Sequence, residues 1–176
     1  RAHMEEAISI NRARNDEREL AYALNSLGDL LVAQGRHANA RAAYEESLAL
    51  AVRLDDRIIR SINLASLGLI HARFGGYRAA YLVLAEALRI ALDTKTKPRM
   101  AHVLLNTARV LHQQGRDRRA AEIGGVIETL GTLEGEHDPT YQQLKQEVRR
   151  ETEWWSKGRA ADPETAIADL IAELEA

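Results

Sequence analysis

The string LGDL at residues 27–30 recurs 40 residues later as LGLI at residues 67–70, and again in degraded form as TARV at residues 107–110. Two further sets keep the same offset: Gly35, Gly75 and Gly115, and Ala40, Ala80 and Ala120. A fixed period of this size is typical of stacked-repeat architectures, in which each unit buries its apolar face against its neighbours. Such arrays present a long surface to a partner, so the period indicates a binding protein rather than an enzyme.

Bulk composition narrows the function classes. The chain has 176 residues, a net charge of −2 and 45% hydrophobic residues, enough for one continuous core. The near-zero charge gives no general attraction to nucleic acid or anionic lipid, and no apolar run approaches the roughly 20 residues of a membrane-spanning helix. The sequence contains no cysteine, which favours a reducing compartment. We therefore predict a cytoplasmic protein that contacts neither nucleic acid nor membrane directly.

Each period has the pattern of two helices joined by a glycine turn. In the first period Leu20, Leu24 and Leu31 recur at helical spacing, Gly35 ends that helix, and a second helix follows over about residues 37–54. The predicted units are residues 16–55, 56–95 and, in degenerate form, 96–131. Residues 1–15 match the second helix of such a unit, which predicts an incomplete leading repeat within a longer array.

After Leu130 the period stops, and residues 132–176 are predicted to form a C-terminal cap. Asp138-Pro139 and Asp162-Pro163 each combine a helix N-cap with a proline suited to the first helical turn. The sequence predicts one helix from Asp138 to about Ser156 and a second, shorter helix after Asp162. The connection before them contains Gly131 and Gly135. We expect the two helices to cover the exposed face of the last repeat.

Small residues occupy the places where paired helices should touch. They are Gly28, Gly68 and Ala108 on the first helices, and Ala40, Ala80 and Ala120 on the second. A larger group follows at Tyr44 and Leu84, although Gly124 holds the same place in the third period. This register resembles the tetratricopeptide repeat, although the period is 40 rather than about 34 residues and leucine replaces the usual tryptophan of the first helix. HEAT-type repeats have a similar length, but the small-residue register favours the tetratricopeptide repeat.

The resemblance implies an all-α, right-handed solenoid of antiparallel helical hairpins, here closed by a two-helix C-terminal cap. In that family the first helix of each hairpin lines a concave surface that binds a partner. Here the concave positions are polar in the outer repeats and apolar in the middle one. This pattern suits a helix or apolar peptide whose polarity Asp29 and Arg109 would fix. The candidate binding residues are Tyr22, Asn25, Asp29, Ile62, Leu69, His102, Asn106, Arg109 and His112.

Three alternatives stay open for this surface. A small effector could bind in place of a protein partner. Ile62 and Leu69 could instead pack against a neighbouring helix and bind nothing. The array could also serve self-association, because the apolar residues Ala7, Ile8 and Ile10 of the first helix could pair with a second copy and form a homodimer.

A narrower resemblance concerns residues 23–28 and 44–50, together with the segments 153–160 and 163–167. These strings resemble the C-terminal repeats of large bacterial signal-transduction ATPases, including LuxR-type transcription regulators of the MalT-like class. The resemblance implies a sensor or regulatory arm that binds an inducer or a partner and thereby controls an ATPase.

The residues that could form a phosphate, metal or nucleic-acid site lack the neighbouring residues that such sites require. Gly124-Gly125 is not followed by the lysine of a phosphate-binding loop, so we expect a close helix contact there. His102 and His112 could share a helix face, but no carboxylate follows at a metal-ligand spacing. The basic residues near Arg118 and Arg149 alternate with glutamates, which is typical of a salt-bridged surface. We predict no cofactor, no metal and no catalytic activity.

Overall fold

The computed structural model describes residues 2–132 and 138–176, with side chains from residue 6 onward. All regular elements in these ranges are helices, and no strand occurs in them. In chain order they are α1 (Ala2–Arg14), α2 (Glu17–Ala33), α3 (His37–Arg53), α4 (Arg57–Arg73), α5 (Tyr77–Asp93), α6 (Lys97–Gln113), α7 (Asp117–Leu130), α8 (Pro139–Glu147), α9 (Thr152–Ala160) and α10 (Pro163–Glu175).

The helices α2 to α7 form three consecutive hairpins. Helix α2 packs on α3, α4 on α5 and α6 on α7, and the second helix of each hairpin packs on the first helix of the next. The first helices begin at Glu17, Arg57 and Lys97, so the 40-residue period of the sequence is also the period of the structure. The predicted all-α solenoid of helical hairpins is confirmed.

Two kinds of turn repeat along the array, and both need a left-handed residue. Within each hairpin the turn contains Gly35, Gly75 or Gly115, with φ between 72° and 81°, a conformation that costs glycine little. Between hairpins the corresponding residues are Asn15, Asp55 and Lys95, with φ between 48° and 53°. Asparagine and aspartate tolerate this region better than most residues.

Aspartates begin four of the helices, as the sequence predicts for Asp138 and Asp162. The side chain of Asp16 accepts a hydrogen bond from the Glu19 amide, and Asp56 accepts from the amides of residues 58 and 59. Asp138 and Asp162 do the same for α8 and α10. Each bond satisfies an amide that the first helical turn leaves without a partner, which typically stabilises a helix by about 1 kcal/mol.

The small residues of the register lie at the closest helix contacts. A Cβ added to Gly28 would lie 2.3 Å from Cε1 of Tyr44, and one added to Gly68 would lie 2.7 Å from Cγ of Leu84. Tyr44 and Leu84 are themselves buried. The bulky residue of the second helix therefore occupies the volume that the glycine of the first helix leaves free.

The prediction of one long helix from Asp138 to about Ser156 is wrong. Helix α8 ends at Glu147, Val148 leaves the helical region at φ −98° and ψ 15°, and α9 begins at Thr152. The cap therefore has three helices. The sequence of the break contains no proline or glycine, so tertiary packing causes it: α8 buries Tyr141 and Leu144 near α6 and α7, whereas α9 lies directly against α7. Gly135 lies outside the described residues.

The last helix, α10, returns to pack on α5 and α7. Its buried stripe consists of Ile167, Leu170, Ile171 and Leu174. Glu173 forms ion pairs with Arg116 and Arg119, the latter at 2.8 Å between Oε2 and Nε. The carbonyl oxygen of Glu175 accepts a hydrogen bond of 3.0 Å from Arg78. The C-terminus is thus fixed to a hairpin almost 100 residues earlier in the chain.

Candidate functional site

A groove of about 470 Å³ lies on the side of the array formed by the first helices of the hairpins. Helices α2, α4 and α6 contribute most of its lining, and the start of α8 closes it at Asp138 and Thr140. Five predicted site residues meet there: Asp29, Leu69, His102, Asn106 and Arg109. Apolar side chains from each of the three helices complete the floor: Val32, Ile70 and Leu105.

Asp29 is held at one side of the groove by Tyr44. The Tyr44 hydroxyl donates a hydrogen bond of 2.6 Å to Oδ1 of Asp29. Burial and then the neighbouring carboxylate raise the pKa of Tyr44 above its ordinary value, so the hydroxyl keeps its proton and remains a donor. The second carboxylate oxygen of this exposed residue stays available to a partner.

His102 is neutral near pH 7 because of its surroundings. The His102 side chain is exposed at the mouth of the groove, but the protein around its ring still removes enough water to lower the pKa of the imidazole. The charges of Asp29 and Asp138 oppose this shift, and those of Arg109 and Arg99 add to it. The Asn106 amide nitrogen lies 3.4 Å from Nε2 of His102. An amide nitrogen can only donate, so the contact favours the ring form with its proton on Nδ1. That second nitrogen can donate to a ligand in the groove.

Arg109 provides a positive charge on the same groove. It is half-buried, and among the described residues it forms no ion pair and no side-chain hydrogen bond. Burial lowers the pKa of Arg109, but an arginine starts so far above neutral pH that it stays charged. Arg73, also without an ion pair in the described ranges, adds a second positive charge to the lining. These two guanidinium groups are free to bind a carboxylate.

Similarity to known protein families agrees with this architecture. The family model described as Tetratricopeptide repeat matches residues 19–93. This stretch covers almost all of the first two hairpins, α2 to α5. The family model described as Anaphase-promoting complex subunit 5 matches residues 1–34. No significant similarity to a curated protein or to a solved structure was found.

The match to this family model bears on function only at a general level. Tetratricopeptide repeats generally mediate protein–protein interaction, which supports a non-catalytic binding role for this chain. The fold is accordingly an all-α, tetratricopeptide-like solenoid, in which α6 and α7 continue the period beyond the matched residues. The narrower resemblance to bacterial signal-transduction ATPases stays a prediction.

Asn25 lies inside the repeats, away from the groove lining. It is buried, and its amide nitrogen lies 3.1 Å from Oδ1 of Asn63. The Asn63 amide in turn donates to the Ser47 hydroxyl at 2.7 Å, and Ser47 donates to the Ala21 carbonyl at 2.6 Å. The asparagine that the sequence places on the binding surface thus joins a hydrogen-bonded network between α2, α3 and α4.

The remaining three predicted residues also lie outside the groove lining. Tyr22 is exposed near the start of α2, and Ile62 is half-buried on α4. His112 binds Asp117 through Nδ1 at 2.8 Å, and its Nε2 lies 3.5 Å from Glu147. His112 therefore connects α6 to α7 and α8.

Sequence reasoning missed several polar groups of the groove, among them Tyr44, Arg73 and Asp138. Tyr44 is assigned from the register to a helix contact, which is correct for its ring but leaves its hydroxyl out. Arg73 follows the last apolar turn of α4 and carries no motif. Asp138 reaches the groove only because the cap folds back onto the repeats, and the residues near Asp138 in the sequence do not predict this.

In the part of the chain that the structure describes, no group of three or more His, Cys, Asp or Glu side chains is arranged to hold a metal ion. None of the described helices combines the length and the apolar character needed to cross a membrane.

Proposed function

We propose that the chain is a non-catalytic binding module whose groove between α2, α4 and α6 binds a helix or extended peptide of a partner protein. The observation that carries this proposal is the pairing of opposite charges around an apolar floor. Asp29 and the free Arg109 face the same groove, and Leu69 of α4 and Leu105 of α6 belong to its apolar lining. An apolar anchor buried on the floor would supply affinity, and the two charges would fix the direction of the peptide.

The same lining favours a protein partner over a small effector. A volume of about 470 Å³ would admit a small molecule. However, Asp29, Arg73 and His102 are all exposed at the groove. Small-molecule sites bury most of their ligand, whereas peptide grooves remain open along one side.

Selection of peptides on the intact chain tests this proposal. We would select from a displayed library of random 16-residue peptides and measure binding of the recovered peptides by fluorescence anisotropy. We expect them to combine apolar residues with an acidic residue. Binding to the Arg109→Glu and Leu69→Asp variants should be at least about tenfold weaker, since one change reverses a charge and the other removes the anchor site.

Arg118→Glu is the matched control, because Arg118 is an exposed arginine of α7 outside the groove. This variant should bind the selected peptides like the unmodified chain. Equal binding to all three variants would show that the peptides bind elsewhere and would exclude the groove as the functional site.

We further propose that the module is the sensor arm of a cytoplasmic bacterial signalling ATPase or LuxR-type transcription regulator. The strings at residues 23–28 and 153–160 support this context through their resemblance to such proteins. Sequencing the reading frame that encodes the chain tests it. A nucleotide-binding domain in the same frame is expected, and a frame without one would refute the assignment.

Self-association is the alternative function, and one observation on α1 favours it. Ile8 is buried against α2, but Ile10 on the same helix is 41% exposed. Sedimentation over a wide concentration range, with the chain and with Ile10→Glu, distinguishes the cases. Dimers that dissociate in the variant would support self-association through α1, and monomers throughout would leave the peptide-binding function.

A further inference from the structure

The chain already contains one helix bound in a groove between second helices of its hairpins. Helix α10 packs on α5 and α7, and its residues Ala166 and Leu170 lie beside Leu104 and Ile123. Glu173 of α10 pairs with Arg116 and Arg119 at the start of α7. This groove therefore binds an amphipathic helix through an apolar stripe and a glutamate.

An equivalent groove lies two periods earlier, between α1 and α3, and its volume is about 360 Å³. The two grooves are related by an offset of 80 residues. Four residues of the α1–α3 groove have equivalents around α10: Leu24, Arg36, Asn39 and Ala43. The equivalents are, in the same order, Leu104, Arg116, Arg119 and Ile123. Ala43 is smaller than Ile123, which leaves more space over the floor. A 2.6 Å ion pair between Arg12 and Glu46 links the two walls.

The arginines of the two grooves differ in their partners. Arg116 is paired with Glu173. Arg36, its equivalent, is half-buried and, within residues 6–132 and 138–176, has no ion pair and no side-chain hydrogen bond. Leu27, on the floor between the walls, is half-buried as well. The α1–α3 groove thus has the apolar floor and the positive group of the occupied groove without the helix that satisfies them.

We propose that the α1–α3 groove is a second docking surface, which binds an acidic amphipathic helix of a partner protein with the pattern of α10. The bound helix would place apolar residues spaced i, i+3, i+4 and i+7 over Leu24 and Leu27, and a glutamate at Arg36. This surface shares no residue with the groove between α2, α4 and α6. Two partners can therefore bind opposite sides of α2 at the same time.

A synthetic peptide of residues 161–176, which contains α10, is the probe. We would measure its binding to the intact chain by fluorescence anisotropy and locate it by chemical-shift changes of backbone amides. We expect changes at residues 8, 27, 31 and 43. The Arg36→Glu variant should bind at least about tenfold more weakly. A peptide with Glu173→Lys should recover binding to that variant, which a merely unfolded protein could not do.

Three results would overturn the proposal. The first is no binding at the highest soluble peptide concentration. The second is binding that ignores Arg36→Glu but is lost in Arg116→Glu, which would place the peptide in the α5–α7 groove after displacement of α10. The third is concentration-dependent sedimentation of the unmodified chain that Arg36→Glu abolishes, which would make a second copy the occupant. Arg118→Glu serves as the control for a change of net charge.

Discussion

Trp155 of α9 packs its ring against the backbone of Gly124 in α7, so closely that a Cβ at Gly124 would lie 2.3 Å from Cζ3. In the first two repeats the bulky residue belongs to the second helix itself, where Tyr44 covers Gly28 and Leu84 covers Gly68. In the third repeat the second helix contributes the glycine, and the cap contributes the bulk. Helix α7 therefore departs from the repeat pattern at Gly124 because the cap needs the space there for Trp155.

Restoring the repeat pattern at this place should destabilise the protein. Gly124→Leu inserts the side chain that Leu84 has one period earlier, into volume that Trp155 already fills. Overpacking of this kind typically costs about 1–3 kcal/mol, and we expect the free energy of unfolding in urea to fall by at least that amount.

The control is the double variant Gly124→Leu with Trp155→Ala, which removes the clashing ring. It should lose clearly less stability than the sum of the two single variants, because the two changes compete for one volume. Additive losses would show that Trp155 does not limit the space at Gly124.

The network of Asn25, Asn63 and Ser47 should stabilise the fold without contributing to binding. Asn63→Ala leaves the buried Asn25 amide without its acceptor and removes the donor to the Ser47 hydroxyl, which costs about 1–3 kcal/mol. Thermal unfolding followed by circular dichroism measures this loss. Ser26→Ala, in an exposed residue that bonds only to the Tyr22 carbonyl, should stay within about 0.5 kcal/mol. A weaker affinity of groove-binding peptides for a folded Asn63→Ala protein would contradict the prediction that the network contributes to stability alone.

His102 should titrate below the ordinary range of histidine, about 6.5. Since its pKa is lower in the folded protein, the unfolded chain binds the proton more readily. Stability therefore falls as the pH decreases from about 6.5 through the folded pKa. Nuclear magnetic resonance of the imidazole protons measures the folded value directly, with His102→Gln to assign the signal.

Two variants test the stated causes of this shift. Arg109→Gln removes a neighbouring positive charge and should raise the pKa of His102, whereas Asp29→Asn removes a negative charge and should lower it. Opposite signs in either variant would mean that His102 and these residues do not share the groove.

The apolar stripe of α10 should be essential to the stability of the repeats that it covers. Leu170→Ala removes a buried side chain, and such changes typically cost about 2–5 kcal/mol. Leu82→Ala, on α5 and 48% exposed, should cost less than about 0.5 kcal/mol. Chemical denaturation of both variants makes the comparison, and equal losses would show that α10 only lies on the surface.

The repeat pattern could be predicted from the sequence because each hairpin is a local structure. Gly35, Asp56 and Gly68 act within one or two helices, so their turns, caps and contacts follow from neighbouring residues. The break at Val148 could not be predicted in this way, since it depends on where α7 lies. The groove residues differ in the same way. Asp29 and Arg109 could be predicted from their positions in the repeat, whereas Asp138 belongs to the cap, which is distant in the sequence.

The fold-back of α10 changes how the chain loses its structure. In an open array each unit touches only its neighbours, so the ends can unravel one hairpin at a time. Here the bond between Arg78 and Glu175 spans 97 residues, and one continuous apolar cluster extends from α4 to α10. The stretch from α5 to the C-terminus must therefore melt in a single step, whereas a separate small cluster joins α1 to α2, the end of α3 and the start of α4. Hydrogen exchange should begin at α1 and reach the C-terminal helix only on global unfolding.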